Sequence, residues 1–120
     1  MSTSKGLPLQ MTEKAPTSTE LDVATNVLKL MADKTRLSIL SLLRDGEMTV
    51  TAIASALDRP VPAISQHLAK LRMANMVQTR KEGTSSFYSQ PDEHLTNLVV
   101  NALHFAEHTL YSDPPHHRGQ

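Results

Sequence analysis

The 120-residue sequence contains no cysteine. That absence excludes disulfides, thiolate metal sites and cysteine nucleophiles together. Tryptophan is also missing, and tyrosine and phenylalanine occur only twice each. So few rings argue against binding single strands of nucleic acid by base stacking. Net charge is absent as well, because twelve basic and twelve acidic residues cancel. Any pull on an acidic partner must therefore come from local clustering. No apolar run approaches the ~18 residues that a membrane-spanning helix needs. The first residues, MSTSKGLPLQ, carry no apolar stretch of the secretory-signal kind, so a soluble, cytoplasmic protein is the expectation. There is no Gly-rich phosphate loop, and the histidines have no evident Ser–Asp companions, so an enzyme is not expected.

What remains is a chain rich in Leu, Ile, Val, Ala and Met, long enough for one domain with a modest core. Residues 1–17 are polar, with Pro8 and Pro16, and read as a disordered arm. Ser18 or Thr19 is placed to cap a first helix, whose apolar residues recur at Val23, Val27, Leu30 and Met31. Asp33 can cap a second, nearly all-apolar helix carrying Leu37, Ile39, Leu40, Leu42 and Leu43, with Gly46 at its end. Thr49 or Thr51 opens a short third helix with Ile53, Ala54 and Leu57 inward. After the break Asp58-Arg59-Pro60, a fourth helix starts near Pro62, with Ile64, Leu68, Leu71 and Ala74 as its inward stripe. Two short helices joined by a tight turn are a helix-turn-helix signal. Residues 77–89 alternate about Glu82-Gly83 and read as a β-hairpin. Pro91-Asp92 then leads into a long last helix, from about 93 to 110, before Asp113-Pro114-Pro115 ends regular structure. The expected organisation is an arm (1–17), a mainly α domain with a small hairpin (18–110) and a His-containing tail (111–120).

Helices followed by a hairpin make a winged helix-turn-helix, and the fourth helix is its candidate reader of double-stranded DNA. Its first turn holds Pro62, and its outward residues are expected to be Ala63, Ser65, Gln66, His67 and Lys70. Ser and Gln suit hydrogen bonding to base edges, and Gln can pair bidentately with adenine. From Arg59 to Lys81 the chain holds Arg59, Lys70, Arg72, Arg80 and Lys81 and no acid. In a neutral protein this is the one strong local positive field, as phosphate contacts require. Arg80 and Lys81 are expected at the hairpin tip. His67 is expected to face DNA or pack on the surface rather than bind metal.

The stretches LMADKTRLSILSLL (30–43), VPAISQHLAKLRMANMV (61–77) and RKEGTSSFYS (80–89) resemble the ArsR/SmtB family of bacterial metal-responsive repressors. The likeness covers about residues 20–110, in the family's order and spacing. It implies a homodimer built on the first and last helices, a recognition helix near 62–74, a wing near 80–85, and an operator with dyad symmetry.

The resemblance also implies places to look for a metal. One family site uses cysteines at the start of the third helix, where this chain reads Glu47-Met48-Thr49-Val50-Thr51, so soft thiophilic ions lose their ligands. A zinc pattern on the last helix is matched by Asp92, His94 and His108 but interrupted by Phe105, with His104 next door. The pattern of nickel- and cobalt-sensing members is filled throughout: His94, then Glu107-His108, then His116-His117. His94 and His108 lie fourteen residues apart, about 21 Å along a helix. One chain therefore cannot hold an ion with both, whereas antiparallel copies crossing near Asn101 would pair one with the other. Imidazole and carboxylate donors suit Ni(II), Co(II) or Zn(II), and five potential ligands favour nickel or cobalt over tetrahedral zinc. The expected function is a dimeric DNA-binding regulator, a repressor, whose operator affinity answers to Ni(II) or Co(II). The alternatives are a winged-helix regulator that does not sense metal by itself and a metal buffer using the His-rich end alone.

Overall fold

The computed structural model describes residues 14–111; His116, His117 and Pro114-Pro115 lie outside them. Among these residues are five helices and a small sheet: α1 (Ser18–Met31), α2 (Lys34–Leu43), β1 (Met48–Thr49), α3 (Val50–Leu57), α4 (Val61–Met73), β2 (Gln78–Glu82), β3 (Ser85–Ser89) and α5 (Glu93–Tyr111). The winged helix-turn-helix architecture expected from the sequence is the one observed.

Local chemistry sets the boundaries. α1 is capped by Thr17, one residue before the expected Ser18, because only Thr17 stands three residues ahead of Glu20. The Glu20 amide donates to Thr17 Oγ1 at 3.0 Å and the Thr17 amide to Glu20 Oε1 at 2.9 Å, a reciprocal capping box. Asp33 caps α2 by accepting from the Arg36 amide at 2.9 Å. Thr49 caps α3 through the Ala52 amide at 3.1 Å. Asp58 leaves α3 in the left-handed region (φ 55°), a conformation Asp tolerates better than most residues. Pro62 falls in the first turn of α4, where a missing N–H costs nothing. Asn75, also left-handed (φ 60°), stops α4 and lets the Met76 amide return to the Leu71 carbonyl.

The sheet is antiparallel throughout, in the order β1-β3-β2. Glu82 pairs with Ser85, so Gly83 and Thr84 form the tip, with Gly83 at a φ of 62° that favours glycine. β1 pairs Met48 with Tyr88 and Thr49 with Phe87, which ties the hairpin back to the start of α3. The sequence reading did not foresee this third strand.

The core is one cluster. Ile39, Leu40 and Leu43 of α2 meet Ile53 of α3, Ile64, Leu68 and Leu71 of α4, Met76 and Val77 before β2, and Val99 of α5. No polar or charged side chain is buried among the described residues. Leu57 and Ala74 pack at the margin, as their spacing suggests.

Adjacent positions on α4 should therefore separate stability from surface chemistry. Leu68→Ala empties a fully buried site and is expected to cost ~2–5 kcal/mol. Gln66→Ala, two residues away and exposed, should stay within ~0.5 kcal/mol of the parent. Equilibrium denaturation by urea, followed by circular dichroism, compares the two.

Candidate nucleic-acid interface

The inward stripe of α4 leaves its opposite face to solvent. Pro62, Ser65, Gln66, Ala69, Lys70, Arg72 and Met73 are exposed, Met73 at 86%. No acidic residue stands in the first turn of α4, and Lys70 and Arg72 lie in its last. The helix thus presents short polar groups for base edges beside cations for phosphates. Met73 is an exposed apolar residue on this face that the sequence reading passed over. Its helical phase, one turn beyond Ala69 and two beyond Gln66, was the available signal.

Two expected outward residues sit differently. Ala63 is half-covered, and His67 lies ~100° around the helix from Gln66, toward α2. The His67 side chain keeps only 21% of its surface. Its Nδ1 is 3.2 Å from an Arg36 guanidinium nitrogen and 3.9 Å from Asp33 Oδ2. Arginine has no acceptor, so His67 Nδ1 must be the acceptor, and the ring carries its proton on Nε2. Burial pushes the imidazole below its ordinary value of 6.5, and neighbouring Arg36, Lys70 and Arg59 push the same way against the pull of Asp33. At neutral pH the ring is therefore uncharged. Asp33 itself is held below the usual carboxylate range, chiefly by the Arg36 amide it caps.

The wing also departs from expectation. Arg80 is not at the tip; it pairs with Phe87 in mid-strand, and Lys81 with Ser86. The register puts Gly83-Thr84 at the turn, because the two strands reach as far as Glu82 and Ser85. The Arg80 guanidinium is gripped by the Glu47 carboxylate, with its Nε donating to both oxygens at 2.9 and 3.0 Å. It also donates to Glu82 at 3.2 Å and lies 4.7 Å over the Phe87 ring. The hydrogen bonds from Arg80 hold the Glu47 carboxyl below its ordinary value and raise Arg80 further above its own. Glu47 stands 33 residues away in the turn after α2, too far for any local pattern to reveal the pairing. Arg59 donates to Thr35 Oγ1 at 2.9 Å. Lys70, Arg72 and Lys81 form no ion pair among the described residues. The positive field that the sequence suggested is thus narrowed to these three cations and Arg59.

α5 carries three of the five expected metal ligands, His94, Glu107 and His108. Its apolar residues divide between two faces. Val99 is buried, and Leu95 and Leu103 pack beside it against the core. Leu98 and Phe105 remain exposed, at 37% and 75%. Leu98 therefore belongs to the open side of α5, apart from Leu95 and Val99. On that side His94, Leu98, Asn101, Phe105 and His108 recur every four and three residues, all exposed, with a histidine at each end. Glu107 stands ~100° around from His108 and off this stripe, and His104 is exposed to the side of it. Asp92 accepts from the Leu95 amide at 3.2 Å, so its carboxylate is engaged at the start of α5. No three potential ligands are gathered within one chain among the described residues. The donor chemistry suits a borderline ion, but one chain alone does not assemble it. α1 exposes Leu21, Val23 and Leu28 as well.

Residues 33–79 match the sequence profile described as bacterial regulatory protein, arsR family. Over 96 residues the chain is 45% identical to the HTH-type transcriptional regulator KmtR of Mycobacterium tuberculosis, covering 80% of this chain and 74% of KmtR. It is 38% identical over 107 residues to the transcriptional activator HlyU of Vibrio cholerae, covering 89% and 92%. The solution structure of the homodimeric winged helix-turn-helix domain of Mb0332 from Mycobacterium bovis superposes with a TM-score of 0.72 at 28% identity, over 92% of this chain and 96% of that one.

The wing geometry yields a salt experiment. Each lost phosphate contact flattens the dependence of log K on log salt by ~0.9. Lys81→Ala is expected to flatten it by about that much on a random-sequence duplex. Arg80→Ala should leave the slope nearly unchanged, since Glu47 and Glu82 already neutralise that charge. Fluorescence anisotropy across a salt series reads both.

Proposed function

The chain belongs to the arsR family of bacterial regulatory proteins, and from that premise we propose that it is a dimeric, metal-responsive repressor reading a dyad-symmetric operator. The transcriptional-regulator role follows from the family. The ion, the sign of regulation and the ligands are this proposal.

The observation that carries the metal reading is the α5 stripe. A helix that exposes Leu98 and Phe105 needs a cover, and α1 offers exposed apolar residues beside it. Two-fold pairing of α5 with its copy in antiparallel fashion about Asn101 covers the stripe with itself. It also brings His94 of one protomer level with His108 of the other, twice per dimer. Glu107, His116 and His117 would complete the donor set. Such imidazole and carboxylate donors suit Ni(II) or Co(II), with Zn(II) the competitor. The resemblance of this five-residue pattern to nickel- and cobalt-sensing members points the same way.

DNA contact falls to Pro62, Ala63, Ser65, Gln66, Lys70, Arg72 and Lys81, presented twice by the dimer. His67 and Arg80, expected among them, act from behind this surface. Capture of an ion fixes how two α5 helices cross, and DNA fixes how far apart two α4 helices lie. If these geometries differ, ion and operator weaken each other by the same factor. HlyU, an activator by name, keeps a second reading open, in which the same scaffold regulates without sensing metal.

Calorimetric titration of Ni(II), Co(II) and Zn(II) separates the readings. Nickel or cobalt is expected to bind one ion per subunit and to weaken operator binding by more than about twofold. His94→Ala and His108→Ala should each abolish the response. An unchanged operator affinity with saturating metal leaves the metal-independent regulator standing. Removing residues 112–120 should weaken the ion if His116 and His117 are ligands.

A further inference from the structure

Arg36 occupies a crossing point. Its Nε donates to the Leu30 carbonyl at the end of α1 at 2.6 Å, and its Nη1 donates to His67 Nδ1 on α4 at 3.2 Å. Its own amide is the one that Asp33 caps. One side chain therefore joins the C-terminal end of α1, the first turn of α2 and the middle of the reading helix. The hydrophobic stripe of Ile64, Leu68 and Leu71 holds α4 against the core. The Arg36–His67 bond adds a directional tie on its flank, one residue from Gln66.

We propose that His67 is a positioning residue for DNA reading: as a neutral acceptor from Arg36 it locks the orientation of α4, so that sequence-selective binding requires the uncharged ring. The inference rests on the DNA-reading role assigned to α4 above. It adds a pH dependence to operator recognition that is independent of any metal ligand on α5.

The chemistry is a change of partner. A protonated His67 has no lone pair for Arg36 and instead meets it as a like charge. Arg59 from the α3–α4 turn and Lys70 from α4 itself add to the repulsion, while Asp33 attracts. Nδ1–H would then turn toward Asp33 Oδ2, the oxygen that caps α2. The bond between α2 and α4 is lost, and the cap is drawn upon. Because the folded ring sits below its ordinary value, the locked form is fully present above that value. It is lost as pH falls through the lowered one. DNA that selects the locked form lowers it further, by linkage.

The test compares the wild-type protein with His67→Asn and His67→Ala. Asn Oδ1 stands where Nδ1 does and can accept from Arg36, but it does not titrate. An operator is first selected in vitro, and its affinity relative to a scrambled duplex is measured from about pH 7.5 to about 5.5. The wild-type ratio is expected to fall across this range, by no more than about tenfold, because the free ring sits below its ordinary value. The His67→Asn ratio should stay flat near the wild-type high-pH value, and the His67→Ala ratio should be low at every pH. The other histidines are present in all three proteins, so the comparison isolates position 67. A wild-type profile matched by His67→Asn overturns the inference while leaving α4 as the reader. If no duplex is preferred by any of the three, the reading role falls and the inference with it. Ring 15N spectra of the free protein give a check that does not depend on the variants folding: a proton on Nδ1 at neutral pH overturns the proposal.

Discussion

Burial of Ile39, Leu40 and Leu43 in α2 is the constraint on which the other elements depend. α2 is in contact with each of α1, α3, α4 and α5, so it is the one helix through which every other is located. That explains why half of its ten residues are Leu or Ile and why its first turn is so firmly anchored. Asp33 caps it, Arg36 ties it to α1 and α4, and Gln90 donates to the Leu40 carbonyl while accepting from Thr96 Oγ1. The last pair fastens the start of α5 to α2 by polar bonds as well as by Val99. A displacement of α5 would therefore have a physical route to α4 through α2. Interior packing is dense enough that such an element shifts as a unit rather than deforming.

Charge is distributed by the same economy. The chain is neutral, and its cations are not all available to a partner. Arg36 and Arg80 are the two guanidiniums most completely engaged by the protein itself, one fixing the reading helix and the other the wing. Arginine suits both tasks because its planar fork makes several directed bonds at once. Lys70, Arg72 and Lys81 form no ion pair among the described residues. Steering by these few charges is local and short-ranged, within a Debye length of ~8 Å at physiological salt, so under the proposed reading selectivity falls to base contacts from α4.

Much of this was legible in the sequence, and the parts that were not share a cause. Asp33, Thr49 and the 3.6-residue stripes marked α2, α3 and α4, because caps and helical periodicity are local signals. The hairpin showed itself by alternation about Glu82-Gly83. β1 did not, since two residues carry no period. Arg80 was read as a tip cation because its partner Glu47 is remote in sequence; only the pairing of β3 with both β2 and β1 brings it beside that carboxylate. His67 was read as outward because one helix viewed alone has no neighbour, and α2 is what converts its flank into an interior edge. On α5 the apolar residues belong to two faces, and a count of apolar positions merges them. His116 and His117 fall outside the described residues, so the sequence remains the whole of their case.

The division of α5 also limits how a metal site can be built. Leu95, Val99 and Leu103 are spent on the chain's own core, which fixes the helix in rotation. Its open stripe must then face outward with His94 and His108 at the two ends, ~21 Å apart. Nothing within the chain can shorten that distance, because a helix does not fold on itself. Two-fold symmetry can: an axis through Asn101 maps each end of the stripe onto the other end of its copy. Under the proposed pairing, the apolar middle supplies the association and the histidine ends supply the ligands, so the same contact that makes the dimer makes the site. An ion held there reads the crossing of two helices rather than the state of either chain. The sensing element and the dimer interface cannot then be varied separately, whereas the DNA-reading residues of α4 can.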